Sequence, residues 1–216
     1  MPRRFFIARH GETVFNAARR MQGDALHTPL TRVGFTQADR IGRSLRTRLG
    51  STPDLELWAS PSGRTLQTLA VVAEHLELDW QGARTDNRLS EMDMGAWGGR
   101  YYDDIFAEVG QFVDRSSAIF TLQPPGGEWY DDIAARLQAW LHEEASAARD
   151  RLVIMHGISS RVLRGLLTGA PQRLDCRAPI AEALPQGSVV LIEDGVETLV
   201  HLGSGGHGAS AASATN

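Results

Sequence analysis

This chain of 216 residues has one cysteine, no apolar run of bilayer-spanning length and no surplus of positive charge. Each shortage removes a class of protein. Cys176 alone cannot form a disulfide within the chain, and no cysteine cluster is present to build a zinc site, which suits a reducing compartment. A formal charge of −4 supplies no basic field, so the expected partner is a small molecule, not nucleic acid and not a membrane. The start, Met1-Pro2-Arg3-Arg4, is positive but leads into the short run Phe5-Phe6-Ile7-Ala8 instead of a signal-length segment, and the expected location is the cytoplasm. No internal repeat is visible, and no linker divides the chain before residue 203. Residues 1–202 are therefore expected to form one domain with a sizeable core. Residues 203–216, mostly Gly, Ser and Ala, are expected to be a flexible tail.

The residues that are present alternate between two periodicities. Arg4 to Arg9 reads as a buried strand, and Leu30-Thr31 opens a helix through Leu49 with Val33, Ala38, Ile41 and Leu45 on its apolar face and Gly50 as its stop. Leu55 to Ala59 is a second strand, and Thr65 to Leu76 a second helix. Helices are predicted over 104–120 and 127–148, with Pro124-Pro125-Gly126-Gly127 between them. Arg151 to Met155 is a strand that leads into a helix from Ile158. Strands over 188–193 and 198–202 are joined at Asp194-Gly195, a strong hairpin signal. Strands alternating with helices in this way predict an α/β fold.

Three strand ends carry reactive side chains: Arg9-His10-Gly11, Ser60-Pro61 with Arg64 beyond it, and His156-Gly157. A fourth loop carries Glu91. The carboxyl ends of parallel strands are where open α/β sheets bind ligands. An imidazole beside a guanidinium is the pairing expected where a phosphate anion meets a nitrogen nucleophile. Taken singly, His156 reads as a packed core or loop histidine and Glu91 as a solvated loop residue; together with Arg9, His10 and Arg64 they point to phosphate chemistry. Two histidines and a carboxylate are also ordinary metal ligands. Two arginines among them repel a dication and favour an oxyanion, so no metal site is expected. The other histidines (His27, His75, His142, His201, His207) are expected at the surface. Trp58, Trp80 and Trp140 are expected to pack, whereas Trp97 and Trp129 are candidates for a pocket wall.

The motifs, in order, resemble the histidine phosphatase superfamily, the phosphoglycerate mutase-like group. They are Arg9-His10-Gly11-Glu12-Thr13 with Asn16, Leu30-Thr31 with Gly34 and Gln37-Ala38, Ser60-Pro61 with Arg64, Leu89-Ser90-Glu91 with Gly95 and Trp97, Gly126-Gly127-Glu128, and His156-Gly157, covering about residues 4 to 170. The resemblance implies a three-layer α/β/α sandwich with a mostly parallel central sheet. It implies His10 as the nucleophile that takes the phosphoryl group, and Glu91 as general acid and then base. It implies Arg9, Asn16, Arg64 and His156 as the phosphate clamp, with His156 donating a ring N–H, and Gln22 and Gly23 at the border of the substrate.

Mutases of this kind continue from the acid as Glu-Arg-His-Tyr-Gly, whereas this chain reads Glu91-Met92-Asp93-Met94-Gly95-Ala96-Trp97-Gly98-Gly99. That is similar to the Gly-x-Trp-Glu-Gly of the phosphatase branch, with Gly98 in place of Glu. Asp103, Asp104 and Glu108 follow, an acidic neighbourhood poorly suited to a doubly charged phosphoglycerate. Trp129 stands where many relatives have Ser, which predicts a bulkier wall. The expectation is a metal-independent phosphomonoester hydrolase acting through a phosphohistidine on a small phosphorylated metabolite, without a cofactor. The alternatives are a phosphoglycerate mutase, which alone would need a 2,3-bisphosphoglycerate primer, and a non-catalytic phosphate-binding module. A homodimer is compatible with the chain.

Overall fold

The structure is a computed structural model, and it describes residues 4–144 and 149–205. Among the described residues, the chain begins with β1 (Phe5–Arg9), the four-residue helix α1 (Val14–Ala17) and α2 (Arg32–Leu49), followed by β2 (Leu55–Ala59), α3 (Gly63–Leu76) and β3 (Arg84–Thr85). It continues with α4 (Tyr102–Val109), the two-residue strands β4 (Val113–Asp114) and β5 (Ile119–Phe120), α5 (Tyr130–Glu143), β6 (Asp150–Met155) and α6 (Ile158–Thr168). It ends with the short strands β7 (Gln172–Arg173) and β8 (Ala178–Pro179), then β9 (Val189–Glu193) and β10 (Val196–His201).

Six strands form the central sheet in the order β10-β9-β1-β6-β2-β3. Strands β1, β6, β2 and β3 run parallel, while β9 and β10 are antiparallel to their neighbours. The alternation of side chains across each strand divides the core in two. Phe6, Ala8, Leu152 and Ile154 face Ile41, Leu45, Leu69 and Val72 of α2 and α3. Phe5, Ile7, Val153 and Met155 face Ile133, Leu137, Val162 and Leu163 of α5 and α6. This is the expected three-layer α/β sandwich with a mostly parallel sheet. The β9–β10 turn has positive φ at Asp194 (49°) and Gly195 (76°), the conformation that the Asp-Gly pair predicts.

Several expectations need correction. The helix predicted over 104–120 is α4 alone. Its last turn closes with Gly110 N–H donating to Phe106 O (2.9 Å), and the Asp114 carboxylate then accepts from Ser116 N (3.0 Å), Ser116 Oγ (2.8 Å) and Ser117 Oγ (2.6 Å), folding Phe112 to Phe120 into a hairpin. The helix predicted over 127–148 begins at Tyr130, and residues 145–148 lie outside the described residues. Val33 is exposed, whereas Ala38, Ile41 and Leu45 are buried. His75 is half-buried because its Nε2 bonds Asp39 Oδ1 (2.8 Å) across the α2–α3 interface, and His201 is half-buried too; His27 and His142 are exposed. Trp80 is exposed, while Trp58 and Trp140 pack edge-to-face in the core. Of the expected tail, Gly203 to Gly205 run along Gln186 to Ser188 through Gly203 N–H to Ser188 Oγ (2.9 Å) and Gly205 N–H to Gln186 O (3.3 Å). Its remainder, 206–216 with His207, lies outside the described residues. Among the described residues, no helix is long and apolar enough to cross a membrane.

Candidate active site

The site begins where β1 ends between two neighbours. Arg9 N–H donates to Ser188 O (2.9 Å) and His10 N–H to Met155 O (3.0 Å), so both residues are fixed by backbone bonds before their side chains are considered. The following turn lies directly on the first turn of α2: a Cβ on Gly11 would stand 2.3 Å from Gly34 O, and one on Gly34 would stand 2.1 Å from Glu12 O. That contact requires glycine on both sides.

His10 is buried, and its Nδ1 lies 2.7 Å from Gly11 O. A carbonyl oxygen only accepts, so Nδ1 carries the hydrogen. Burial first, then the charges of Arg64 and Arg9, pull the His10 pKa well below 6.5. The ring is therefore neutral with its lone pair on Nε2, the form a nucleophile needs.

His156 stands edge-on to His10, with ring centroids 5.3 Å apart. It comes from the end of β6, and burial followed by Arg64 also lowers its pKa well below 6.5. Arg64 Nε–H donates to its Nδ1 (3.1 Å), and since that nitrogen accepts, the ring hydrogen sits on Nε2, against Ser60 Oγ (2.7 Å). Both ring nitrogens thus have protein partners. The N–H expected to donate to phosphate is turned toward Ser60, because Arg64 occupies the other nitrogen.

Arg64, the second residue of α3, is fully buried and holds the loop before it: Nη1 donates to Ala25 O (2.6 Å) and Thr28 Oγ1 (2.8 Å), Nη2 to Gly23 O (2.7 Å). Its pKa is lowered to about 10, chiefly by burial, with Glu91 and Asp24 opposing. Gly23 has φ of +53°, and a Cβ there would meet Met94 Cγ at 2.7 Å. Arg9 is also buried, with its pKa lowered to about 10 by burial against the pull of Glu91, and its Nη1 donates to Leu184 O (2.6 Å).

Glu91 sits at the N-terminus of α6. Its Oε1 accepts from Met92 N (3.0 Å) and Ser159 N (2.9 Å), and its Oε2 from Ile158 N (3.0 Å). Two of these donors are first-turn N–H groups with no partner inside the helix, so the carboxylate completes the helix end and is held there. The loop that carries it is braced from behind. Arg136 Nη1 donates to Arg88 O (2.5 Å), and Glu128 Oε2 accepts from Asp93 N (3.0 Å).

Asn16 and Gln22 are oriented through Thr13. The Asn16 Oδ1 accepts from Thr13 N (3.1 Å), and the Thr13 hydroxyl lies 2.8 Å from Asn16 Oδ1 and 2.5 Å from Gln22 Oε1. With both oxygens facing Thr13, each amide leaves its NH2 as the free end.

One pocket gathers these groups. Arg9, His10, Asn16, Gln22, Gly23 and Glu91 line it, while Arg64 and His156 stand behind its wall. The lining residues that the motifs do not point to include Arg20, Tyr102, Phe120 and Arg161. Arg161 lies in the first turn of α6, the helix that His156-Gly157 leads into, so its place beside that motif was a usable signal; the others carried none. Trp97 and Trp129 are not in the wall. Trp97 packs on Phe112 (5.1 Å), and Trp129 Nε1 donates to Asp175 O (3.3 Å). The acidic residues after Glu91 also point elsewhere: Asp103 meets Arg19 (3.0 Å), Glu108 meets Arg100 (2.6 Å), and Asp104 is exposed. The sequence has no lysine, so every permanent side-chain cation at this site is a guanidinium. The arrangement offers a neutral ring nitrogen, a carboxylate and several N–H donors around one opening, which suits a tetrahedral oxyanion.

Residues 5–203 match the family model of the histidine phosphatase superfamily (branch 1). A probable phosphoglycerate mutase of Yersinia pestis (strain Pestoides F) is 32% identical over 175 residues, which is 80% of this chain and 78% of that protein. Among solved structures, a mycobacterial glucosyl-3-phosphoglycerate phosphatase superposes with a TM-score of 0.71 at 28% identity, covering 88% of this chain and 90% of the other. A putative alpha-ribazole-5'-P phosphatase of Escherichia coli gives a TM-score of 0.70 at 26% identity, covering 94% and 97%.

Proposed function

The chain belongs to the histidine phosphatase superfamily, and from that premise we propose that it is a metal-independent hydrolase of phosphomonoesters. The observation that carries the reading is the state of His10: neutral, hydrogen on Nδ1, Nε2 free, and facing a pocket shared with Arg9 and Glu91. Nε2 attacks phosphorus, the bond from phosphorus to the leaving oxygen breaks, and a proton from the Glu91 carboxyl goes to that oxygen. Glu91, now ionised, takes a proton from water as the water attacks the phosphohistidine, and the N–P bond breaks to release phosphate. Arg9 and Arg64 oppose the charge that spreads over the phosphoryl oxygens, with the Asn16 and Gln22 amides as neutral donors at the rim. His156 holds Arg64 and the His10 ring in register.

The test is hydrolysis of 4-nitrophenyl phosphate in the presence of a chelator, with a 32P-labelled enzyme intermediate stable to base and labile to acid. His10→Ala is expected to lower kcat by at least ~10³-fold and to abolish labelling. Full activity in that variant rejects the reading. Tight phosphate binding with no labelling identifies a non-catalytic module.

The mutase reading draws support from the Yersinia relative and from the outward direction of Asp103 and Glu108. The hydrolase reading is preferred because Glu91 is followed by Met92 and Met94, which line the pocket, and not by the Arg-His-Tyr of the mutase pattern. Exchange of 3- and 2-phosphoglycerate that depends on 2,3-bisphosphoglycerate would establish the mutase.

A further inference from the structure

The pocket has an outer end that the phosphoryl chemistry does not use. Its wall is Tyr102, Phe120, Ile158, Arg161 and the 183–184 segment. Within this mostly apolar wall sits a charged group that makes no ion pair among the described residues. Arg161 is 5% exposed, with Nε donating to Ala181 O (2.8 Å) and Nη1 to Ala118 O (3.0 Å). Both partners are neutral carbonyls. Its Nη2 makes no hydrogen bond among the described residues and is not sealed from the pocket. Burial lowers the Arg161 pKa against the pull of Tyr130 and of Glu182, and the Glu182 carboxylate lies beyond salt-bridge distance.

A guanidinium placed in a low-dielectric wall without a carboxylate is costly unless a bound anion completes it. Arg164, one turn further along α6, pairs with Glu197 (2.6 Å); Arg161 makes no such ion pair among the described residues. Beside it, the Tyr102 hydroxyl has no hydrogen-bond partner among the described residues, and its ring is held by stacking on Phe112 (6.0 Å between centroids). The outer wall therefore presents one cationic and one neutral donor in an apolar setting.

We infer that Arg161 is a specificity-determining residue that binds a second anionic group, such as a carboxylate, on the leaving alcohol, with the Tyr102 hydroxyl as a further donor. This rests on the hydrolase reading for the orientation of the substrate: the phosphoryl group faces His10 and the remainder of the molecule faces α6. Substrates whose leaving group is neutral leave the guanidinium without an ion-pair partner and are selected against.

The test compares 3-phosphoglycerate with glycerol 3-phosphate, which differ by a carboxylate against a hydroxymethyl group. Phosphate release by the wild-type protein is expected to favour 3-phosphoglycerate at least ~10-fold in kcat/KM, and Arg161→Gln is expected to bring that ratio below ~3. Because Arg161 also ties Ala118 to Ala181, the thermal unfolding of the variant is followed, and Arg161→Lys is run beside it. Lysine keeps the charge and is expected to retain part of the preference. Equal rates on the two esters in the wild type, or an unchanged ratio in both variants, overturns the inference. Binding of the two esters to His10→Ala protein, measured by calorimetry, separates the two ideas. A preference in binding that Arg161→Gln removes, with neither ester hydrolysed by the wild type, rejects the hydrolase and leaves the anion receptor standing. Hydrolysis without preference does the reverse.

Discussion

The two ends of the pocket are built on opposite plans. At the inner end, His10 and His156 sit at the ends of adjacent parallel strands, and Glu91 closes the first turn of α6, so each reactive group is fixed by backbone bonds of regular structure. At the outer end, the wall consists of a hairpin with two-residue strands and an irregular segment held by side chains: Arg9 bonds Leu184 O, Arg161 bonds Ala181 O and Ala118 O, and Arg164 bonds Glu182 O. The inner end is a property of the sheet. The outer end is a set of loops tied down by arginines, and loops of this kind can change without disturbing the chemistry beneath. Reaction and selectivity are thus carried by separable parts of the molecule, and four experiments test how separable they are.

The largest effect is expected from Arg64→Ala. Removing a fully buried guanidinium strands the acceptors of Ala25, Thr28, Gly23 and His156, and is expected to cost about 3–5 kcal/mol in urea unfolding along with activity on every ester. A loss confined to one substrate would erase the distinction between the ends.

Next is pH. The folded protein holds His10 and His156 with pKa values far below 6.5, whereas in the unfolded chain both titrate near ~6.5. As pH falls below about 6.5 the unfolded state takes up protons that the folded state refuses, so stability is full above that value and declines below it. The urea midpoint is expected to drop between pH 7.5 and 5.0, and to drop less in a His10→Asn/His156→Asn variant. An equal drop in both proteins would locate the titration elsewhere.

Ser60→Ala is expected to act more mildly. It frees the His156 Nε2–H from its 2.7 Å bond, costing about 1 kcal/mol and lowering kcat/KM by roughly ten-fold across all substrates, while KM stays near wild type. A selective effect on KM would place Ser60 with the outer end. The smallest effect is expected from Tyr102→Phe, which removes a hydroxyl without a partner among the described residues. Its stability should stay within about 0.5 kcal/mol of wild type, with a change in KM that depends on the leaving group. Uniform loss of kcat would instead bring Tyr102 into the reaction.

The inner end was legible because its residues lie next to periodic strands. Phe5 to Ala8 announces β1, and the residues after it must emerge at its carboxyl end. The outer end was not. Phe112, Val113, Ile119 and Phe120 satisfy a helical period as well as a hairpin, and the choice was made by Gly110, by the turn around Asp114 and by Phe120 N–H donating to Tyr130 Oη (2.8 Å). Trp97 and Trp129 neighbour the pocket's motifs in sequence, yet each turns away to fill the core beside α4 and α5. The acidic residues after Glu91 misled in the same way: nearness along the chain does not tell which face of α4 a side chain occupies.

By itself the sequence determined the alternation of strands and helices, the strand ends that carry His10, Arg64 and His156, and the kind of chemistry such a set performs, because these follow from local periodicity and residue type. The tertiary structure decided the rest. It placed the hydrogen on Nδ1 of His10 by setting Gly11 O against it, turned both nitrogens of His156 to protein partners, fastened Glu91 to a helix end 67 residues away, and set Arg161 in the pocket wall on two backbone carbonyls. Tautomer, protonation and counter-charge depend on which groups meet across the fold, and that pairing is written in packing rather than in neighbouring letters.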